Sequence, residues 1–311
     1  MCLDSFFALY FYPFVTCANS DLSGIGVRYY GYYLSGNYVS EIEDHSNLTH
    51  QYLHADQFAD TYQYVINHNM KIMVDVTQVF FEDEDPNDGD DSQRLRQDYQ
   101  ARWDHYKTRL GSYTNNLAAF YVADEPGRVG LSVWELQAAI NALKANFPSI
   151  PTASIASGAG GDLGTGMFDW VGFDYYTNGK ISPTESTPAG SFWARFKSQV
   201  RPWQRIILVP QAGYYYDSVV TAVYYQAGVE KEARIYNQIA LDDPQVIAVT
   251  PFIWQQVGRF DCLKAVSANS QLDINIYKKF GHDVMKRASE RYPPVVSPAQ
   301  IIIAVNNMLI M

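Results

Sequence analysis

Eight short apolar runs, each rich in β-branched and aromatic residues, punctuate the chain from about residue 24 onward. They are GIGVRYYGYY (24–33), SNLTHQYL (46–53), KIMVDVTQVF (71–80), LAAFYVADE (117–125), IPTASIAS (150–157), FDWVGFDYY (168–176), RIILVPQAG (205–213) and VIAVTPFIWQ (246–255). Between them lie stretches with helical periodicity at 55–69, 92–110, 131–147, 189–200, 230–241 and, after the last run, 273–292. Pro148 and Pro202 fall just past the third and fourth of these, where a chain leaves a helix. The first and fifth crossovers read as short or irregular. Strands alternating with helices imply a parallel sheet covered by helices, and eight such units predict a closed (β/α)8 TIM barrel in a single domain.

The barrel is expected over 21–292. Residues 1–20 read as a signal peptide or disordered leader, and 293–311 as a C-terminal tail. The leader has an apolar stretch followed by small residues but no Lys or Arg ahead of it, so the expected location is secreted or periplasmic, and otherwise cytoplasmic. No stretch outside the leader approaches the roughly 20 apolar residues of a membrane helix. The formal charge of −10 and pI near 5.0 argue against a nucleic-acid partner, which requires clustered Lys and Arg. Cys2, Cys17 and Cys262 are too scattered for a disulfide framework or zinc cluster, and the six histidines show no metal-ligand spacing, so neither metal nor cofactor is expected. The oligomeric state is not legible.

In a barrel of this kind chemistry sits where the strands end. The side chains there are Tyr32, Tyr33, His50, Asp75, Asp124, Glu125, Ser157, Asp174, Tyr175, Tyr176, Gln211, Trp254 and Gln255. A ring of carboxylates, phenols, amides and an indole suits a polyhydroxylated ligand, and the 24 Tyr and 6 Trp fit sugar stacking. YVADEP (121–126) is the most informative segment, because an apolar strand runs directly into two acids. Strand alternation sends Asp124 and Glu125 to opposite faces unless a bulge intervenes. An acid capping the following helix is the plainer alternative, but LSVWELQ begins several residues later.

This segment resembles the clan-A-like barrel glycoside hydrolases, whose acid/base glutamate ends the fourth strand in an Asn-Glu-Pro or Asp-Glu-Pro setting. The resemblance implies that Glu125 is the proton donor, that Asp124 stands where the family has its sugar-binding Asn, and that the substrate is carbohydrate. The chain departs from the family at the seventh strand, which carries Gln211 where the nucleophilic glutamate is expected. Asp75 or Asp174 is then the candidate second carboxylate. Adjacent Asp-Glu also resembles the β-hexosaminidases, in which a 2-acetamido group attacks intramolecularly; Tyr176 or Tyr214 would bond that intermediate. Tyr32, Tyr176, Gln211, Tyr214, Trp254 and Gln255 are the expected substrate-binding residues, Trp254 as the stacking floor and Asn178 as a further rim amide. Two other readings stay open: a catalytically inactive carbohydrate-binding barrel, and a barrel enzyme of unrelated chemistry.

Three further signals carry less. EDEDPNDGDD (82–91) reads as a solvated acidic loop and SGAGGDLGTG (157–166) as a loop lacking a phosphate-binding ending. The sequon Asn47-Leu48-Thr49 falls inside a predicted strand, and His50 reads as a core or rim histidine.

Overall fold

A computed structural model describes residues 26–85, 91–111, 114–157, 166–176, 184–185, 191–215, 222–256, 260–268 and 272–292. The leader, the tail, Asn178 and most of the Gly-rich segment lie outside these residues.

Each of the eight apolar runs contains a strand of one parallel sheet: β1 (Tyr29–Tyr30), β2 (Leu48–Tyr52), β3 (Lys71–Asp75), β4 (Leu117–Asp124), β5 (Thr152–Ser157), β6 (Trp170–Asp174), β7 (Arg205–Val209) and β8 (Val246–Val249). Their order around the sheet is β1-β8-β7-β6-β5-β4-β3-β2, so the first and last strands pair and the sheet curls into a nearly closed barrel. Six longer helices cover it: α1 (Phe58–Asn67), α2 (Tyr99–Tyr106), α3 (Val133–Asn146), α4 (Phe192–Gln199), α5 (Ala222–Asp242) and α6 (Ile274–Arg291). No helix among the described residues is long and apolar enough to cross a membrane. Helix α3 starts on a capping box, with the Ser132 hydroxyl accepting from the Glu135 N–H while the Glu135 carboxylate accepts from the Ser132 N–H.

Strand alternation divides the core in two. Met73, Ala119, Tyr121, Ala153, Ile155, Ile207 and Ala248 belong to the cluster inside the barrel, whereas Ile72, Val74, Phe120, Val122 and Val171 belong to the larger cluster beneath the helices. The seam between β1 and β2 is closed differently. The Asn47 side chain accepts from the Tyr30 N–H (2.9 Å) and donates to the Arg28 carbonyl (3.0 Å), while the Asn47 N–H donates to the Tyr30 carbonyl (2.9 Å). An amide side chain thus stands in for a strand ladder. Gly31 permits this approach, since a Cβ there would lie 1.9 Å from the Leu48 carbonyl oxygen.

Three local expectations are corrected. The run 71–80 is a strand only to Asp75, after which Thr77–Phe80 is helical. The predicted helix over 92–110 is confined to α2 and a following 3-10 turn. Its first residues, Gln93–Leu95, instead pair antiparallel with Phe81–Asp83, where Arg94 and Arg96 both reach Glu82. Helix α5 begins earlier than expected, at Ala222. The first crossover is short and irregular: a 3-10 turn at Gly36–Tyr38 and one helical turn at Val39–Ile42.

Candidate active site

The geometry at the barrel mouth is set by a bulge in β4. Its register against β5 runs Phe120↔Thr152 and Tyr121↔Ala153, then skips a residue to Ala123↔Ser154 and Asp124↔Ile155. Plain alternation from the inward-facing Tyr121 would turn Ala123 inward and Asp124 outward. The extra residue reverses this and sets Asp124 beside the inward-facing Ile155.

Asp124 lines a cavity of about 450 Å³ at this mouth together with Asp75, Tyr33, Tyr52 and Thr77. The Tyr121 hydroxyl donates to Asp124 Oδ1 at 2.5 Å. Asp124 is open to the cavity yet has protein around nearly all of it, and burial pushes its carboxyl up to about 6. The Tyr121 bond opposes that rise and the neighbouring Glu125 charge adds to it.

Asp75 lies deeper and is fully buried. The Thr77 backbone N–H (2.9 Å) and hydroxyl (2.6 Å) both donate to its Oδ1. Burial pushes Asp75 up to about 7; the Thr77 bonds pull against this and the Asp124 charge reinforces it. Beside it, His50 Nε2 stands 3.4 Å from Asp75 Oδ2. The Leu34 N–H donates to His50 Nδ1 (3.1 Å), so neutral His50 carries its proton on Nε2, near the carboxyl but without a hydrogen bond to it. Burial lowers His50 to about 3 and keeps it neutral. Tyr33 stacks on the His50 ring at 4.4 Å, and its hydroxyl titrates far above the usual range because it is buried and faces the Asp124 and Asp75 charges.

Glu125 occupies the turn just beyond the strand. Its φ of +41° is a left-handed conformation that side-chain-bearing residues rarely hold, and its carbonyl accepts the Arg128 and Val129 N–H groups. The carboxylate is mostly shielded and ion-paired to Arg128, which also pairs with Asp91. Asp174 ends β6, half-buried, and its charge reaches the Tyr176 hydroxyl, whose pKa burial raises far above normal.

The other expected binding residues scatter. Tyr32 and Trp254 are buried in the outer core, 5.0 Å apart between ring centres; the Trp254 indole N–H donates to Glu41 (2.9 Å), and the Tyr32 hydroxyl bonds His45 (3.1 Å). Gln211 is buried with its amide donating to the Gly213 carbonyl (2.7 Å), and Gln255 donates to the Leu34 carbonyl (2.6 Å). The Tyr214 side chain lies outside the described residues. Tyr176 does face the barrel mouth, packed against Phe252 at 5.7 Å with ring planes 22° apart. Phe252, which also meets Tyr33 at 5.5 Å, occupies the inner position at the end of β8 that sequence reasoning gave to Trp254. Tyr52, Tyr121 and Thr77 were likewise missed; only their place near strand ends could have singled them out. Among the described residues no three His, Cys, Asp or Glu side chains gather closely enough to hold a metal ion.

No family model and no curated protein matches this sequence. Solved structures do match in fold. A GH2 β-galacturonidase from Eisenbergiella tayi bound to galacturonate gives a TM-score of 0.52 at 8% identity, over 84% of this chain and 52% of its own. The β-glucuronidase of Bacteroides uniformis gives 0.51 at 14% identity, over 82% and 34%. A GH5_18 protein from Streptomyces cattleya in complex with Manβ1-4GlcNAc gives 0.54 at 13% identity, over 87% and 82%. The chain therefore spans about half the length of the first protein and a third of the second. What it has in common with these glycosidases is the (β/α)8 barrel.

Proposed function

We propose that this barrel is a glycoside hydrolase in which Asp124 is the carboxyl that meets the glycosidic oxygen and Asp75 is its electrostatic partner. The observation that carries this reading is the bulge, which brings Asp124 into the same cavity as a second carboxyl while burial lifts both toward neutral pH. Two interacting carboxyls with apparent values of about 6 and 7 hold one proton between them over that interval. In the singly protonated pair the proton rests mainly on Asp75, and the minority form with it on Asp124 offers both a proton for the leaving oxygen and, at ionised Asp75, a negative charge to stabilise an oxocarbenium-like centre. Tyr33, Tyr52, Tyr176 and Phe252 supply apolar ring faces beside hydroxyl donors, as a sugar requires.

Glu125, the donor expected from the resemblance, keeps a role at the rim: its charge raises Asp124, and Arg128 holds it in place. Its left-handed backbone is of the kind that persists where surrounding structure enforces it, often at functional sites. Asp174, at the end of β6 two strands from β4, is the candidate for contacts to sugar hydroxyls.

Turnover of a panel of aryl glycosides by Asp124→Asn and Glu125→Gln tests the assignment. Asp124→Asn is expected to lose about 100-fold or more with poor leaving groups and much less with activated ones, the mark of a lost general acid. Glu125→Gln is expected to lose roughly tenfold or less. Unchanged turnover in Asp124→Asn rejects the proposal. A second reading, a barrel that binds glycan without cleaving it, is favoured by the β7 end, where the Gln211 amide is buried and committed to Gly213. Binding without reducing-end release from any substrate would select it.

A further inference from the structure

The wall of the cavity away from β4 carries a cluster of cations that the proposed chemistry does not use. Arg96, which follows the short antiparallel ribbon, and Arg102 on α2 line the same cavity as Asp124 and Asp75. Arg109, just past α2, lies close by, since Arg102 and Arg109 sit over the same Tyr106 ring at 5.4 and 4.9 Å. All three guanidinium charges bear on the His54 ring, which packs 5.2 Å from Tyr52 on the cavity wall.

Fold-holding duties account for part of this cluster. Arg109 donates to the Leu53 (3.1 Å) and Ala55 (2.9 Å) carbonyls, and Arg102 to the Gln78 carbonyl (3.2 Å). They leave Arg102 and Arg109 without an ion pair, although Glu82 and Asp83 also line the cavity. Arg96 pairs with Glu82 at 3.0 Å, but none of the ion pairs among the described residues engages Arg102 or Arg109, in a chain of net charge −10. Of the five buried side-chain nitrogens that lack a hydrogen-bond partner among the described residues, three belong to this cluster: Arg96 Nε, which stands 3.8 Å from Asp98, Arg102 Nε and His54 Nδ1. Buried donors without partners are uncommon in folded proteins and call for an explanation. Guanidinium groups grouped at a cavity wall suit planar or tetrahedral oxyanions, which they bind through charge-assisted paired bonds.

We propose that Arg96, Arg102 and His54, backed by Arg109, form an anion subsite that takes a carboxylate or sulfate substituent of the substrate, which makes that substrate an acidic glycan. The inference rests on the glycosidase reading and names the substrate class for it. The subsite and the two carboxyls share one cavity, so an acidic group held at the arginines places a sugar ring near Asp124 while keeping the substituent off the carboxylate pair.

Isothermal titration of the full chain with trigalacturonate, a sulfated galactan trisaccharide and mannotriose tests it. At least one acidic probe is expected to bind about tenfold or more tightly than mannotriose, and which one does so distinguishes carboxylate from sulfate. The gap should close in Arg102→Gln, persist in part in Arg102→Lys, and collapse at about 0.5 M NaCl as the charges are screened. Equal affinity for acidic and neutral probes, or a gap that survives Arg102→Gln, overturns the proposal. Should Arg102→Gln unfold, the wild-type salt series decides alone: a gap undiminished by salt overturns it. Titrating Asp124→Asn separates this inference from the catalytic one. Acid preference retained beside unimpaired turnover in that variant would sink the catalytic role of Asp124 and leave the subsite standing.

Discussion

Asp75 should make the barrel less stable as the pH rises, and replacing it with asparagine should remove that dependence. Its carboxyl moves from an ordinary value of 3.8 to about 7 on folding. A carboxyl with a raised folded pKa contributes stability that is fully present below the unfolded value and is lost as pH climbs through the folded one. At about 1.4 kcal/mol per pH unit, that amounts to roughly 4 kcal/mol lost between pH 4 and pH 7. His50, held near 3 when folded against 6.5 when unfolded, makes stability rise with pH up to about 6.5, but it does so in both proteins and cancels from their difference. In Asp75→Asn the side-chain amide keeps both Thr77 bonds through its own oxygen, but sets an N–H against His50 Nε2–H, a penalty of about 1 kcal/mol at every pH. The informative quantity is therefore the slope of the difference. Equilibrium urea unfolding of both proteins from pH 4 to pH 8, followed by tryptophan fluorescence, should show Asp75→Asn gaining about 4 kcal/mol on the wild type across the range. A difference flat within about 1 kcal/mol would refute the claim that this carboxyl is buried at a cost in the native barrel.

Turnover should follow a narrow bell: activity rises as pH passes about 6, where the first proton leaves the Asp124–Asp75 pair, and falls past about 7, where the second does. A single flank, or a plateau from about pH 5 to pH 9, contradicts this. Tyr121→Phe removes a bond that favours ionised Asp124, so the acid flank should move upward by about one to two pH units in kcat/KM profiles; an unmoved flank dissociates the phenol from the carboxyl. Asn47→Ala opens the β1–β2 seam and should lower unfolding free energy by about 1–3 kcal/mol with catalysis retained, measured by denaturant titration. No loss of stability would show that the seam does not depend on this amide.

The architecture was legible because burial imposes it on every strand: eight runs of apolar residues had to enclose one interior, and each run holds its strand. Site detail was less accessible, and the reason differs by residue. Asp124 and Glu125 were marked together, but which one turns inward depends on a skipped residue in the pairing of β4 with β5, a property of two strands that neither strand encodes in its own pattern. Trp254 stands at the place where sugar-binding barrels carry an aromatic floor, but past β8 the chain turns this ring into the outer core and Phe252 faces the barrel mouth instead. The segment 93–95 has helical periodicity by itself, yet Glu82 on the neighbouring ribbon strand draws Arg94 and Arg96 into an extended pairing. Arg102 and Arg109 were passed over because they sit in and just after a helix, with no strand end to mark them.

On the glycosidase proposal, the left-handed backbone at Glu125 sets heat tolerance against chemistry at a single position. Glycine adopts that conformation without strain and would be about 1 kcal/mol more comfortable there. A library of this chain sorted only for survival at high temperature should thus drift toward glycine at 125, shedding the charge that lifts Asp124 and releasing Arg128. Thermal screening alone would erode the site from its rim inward, and an engineering campaign would have to hold this residue fixed from the outset.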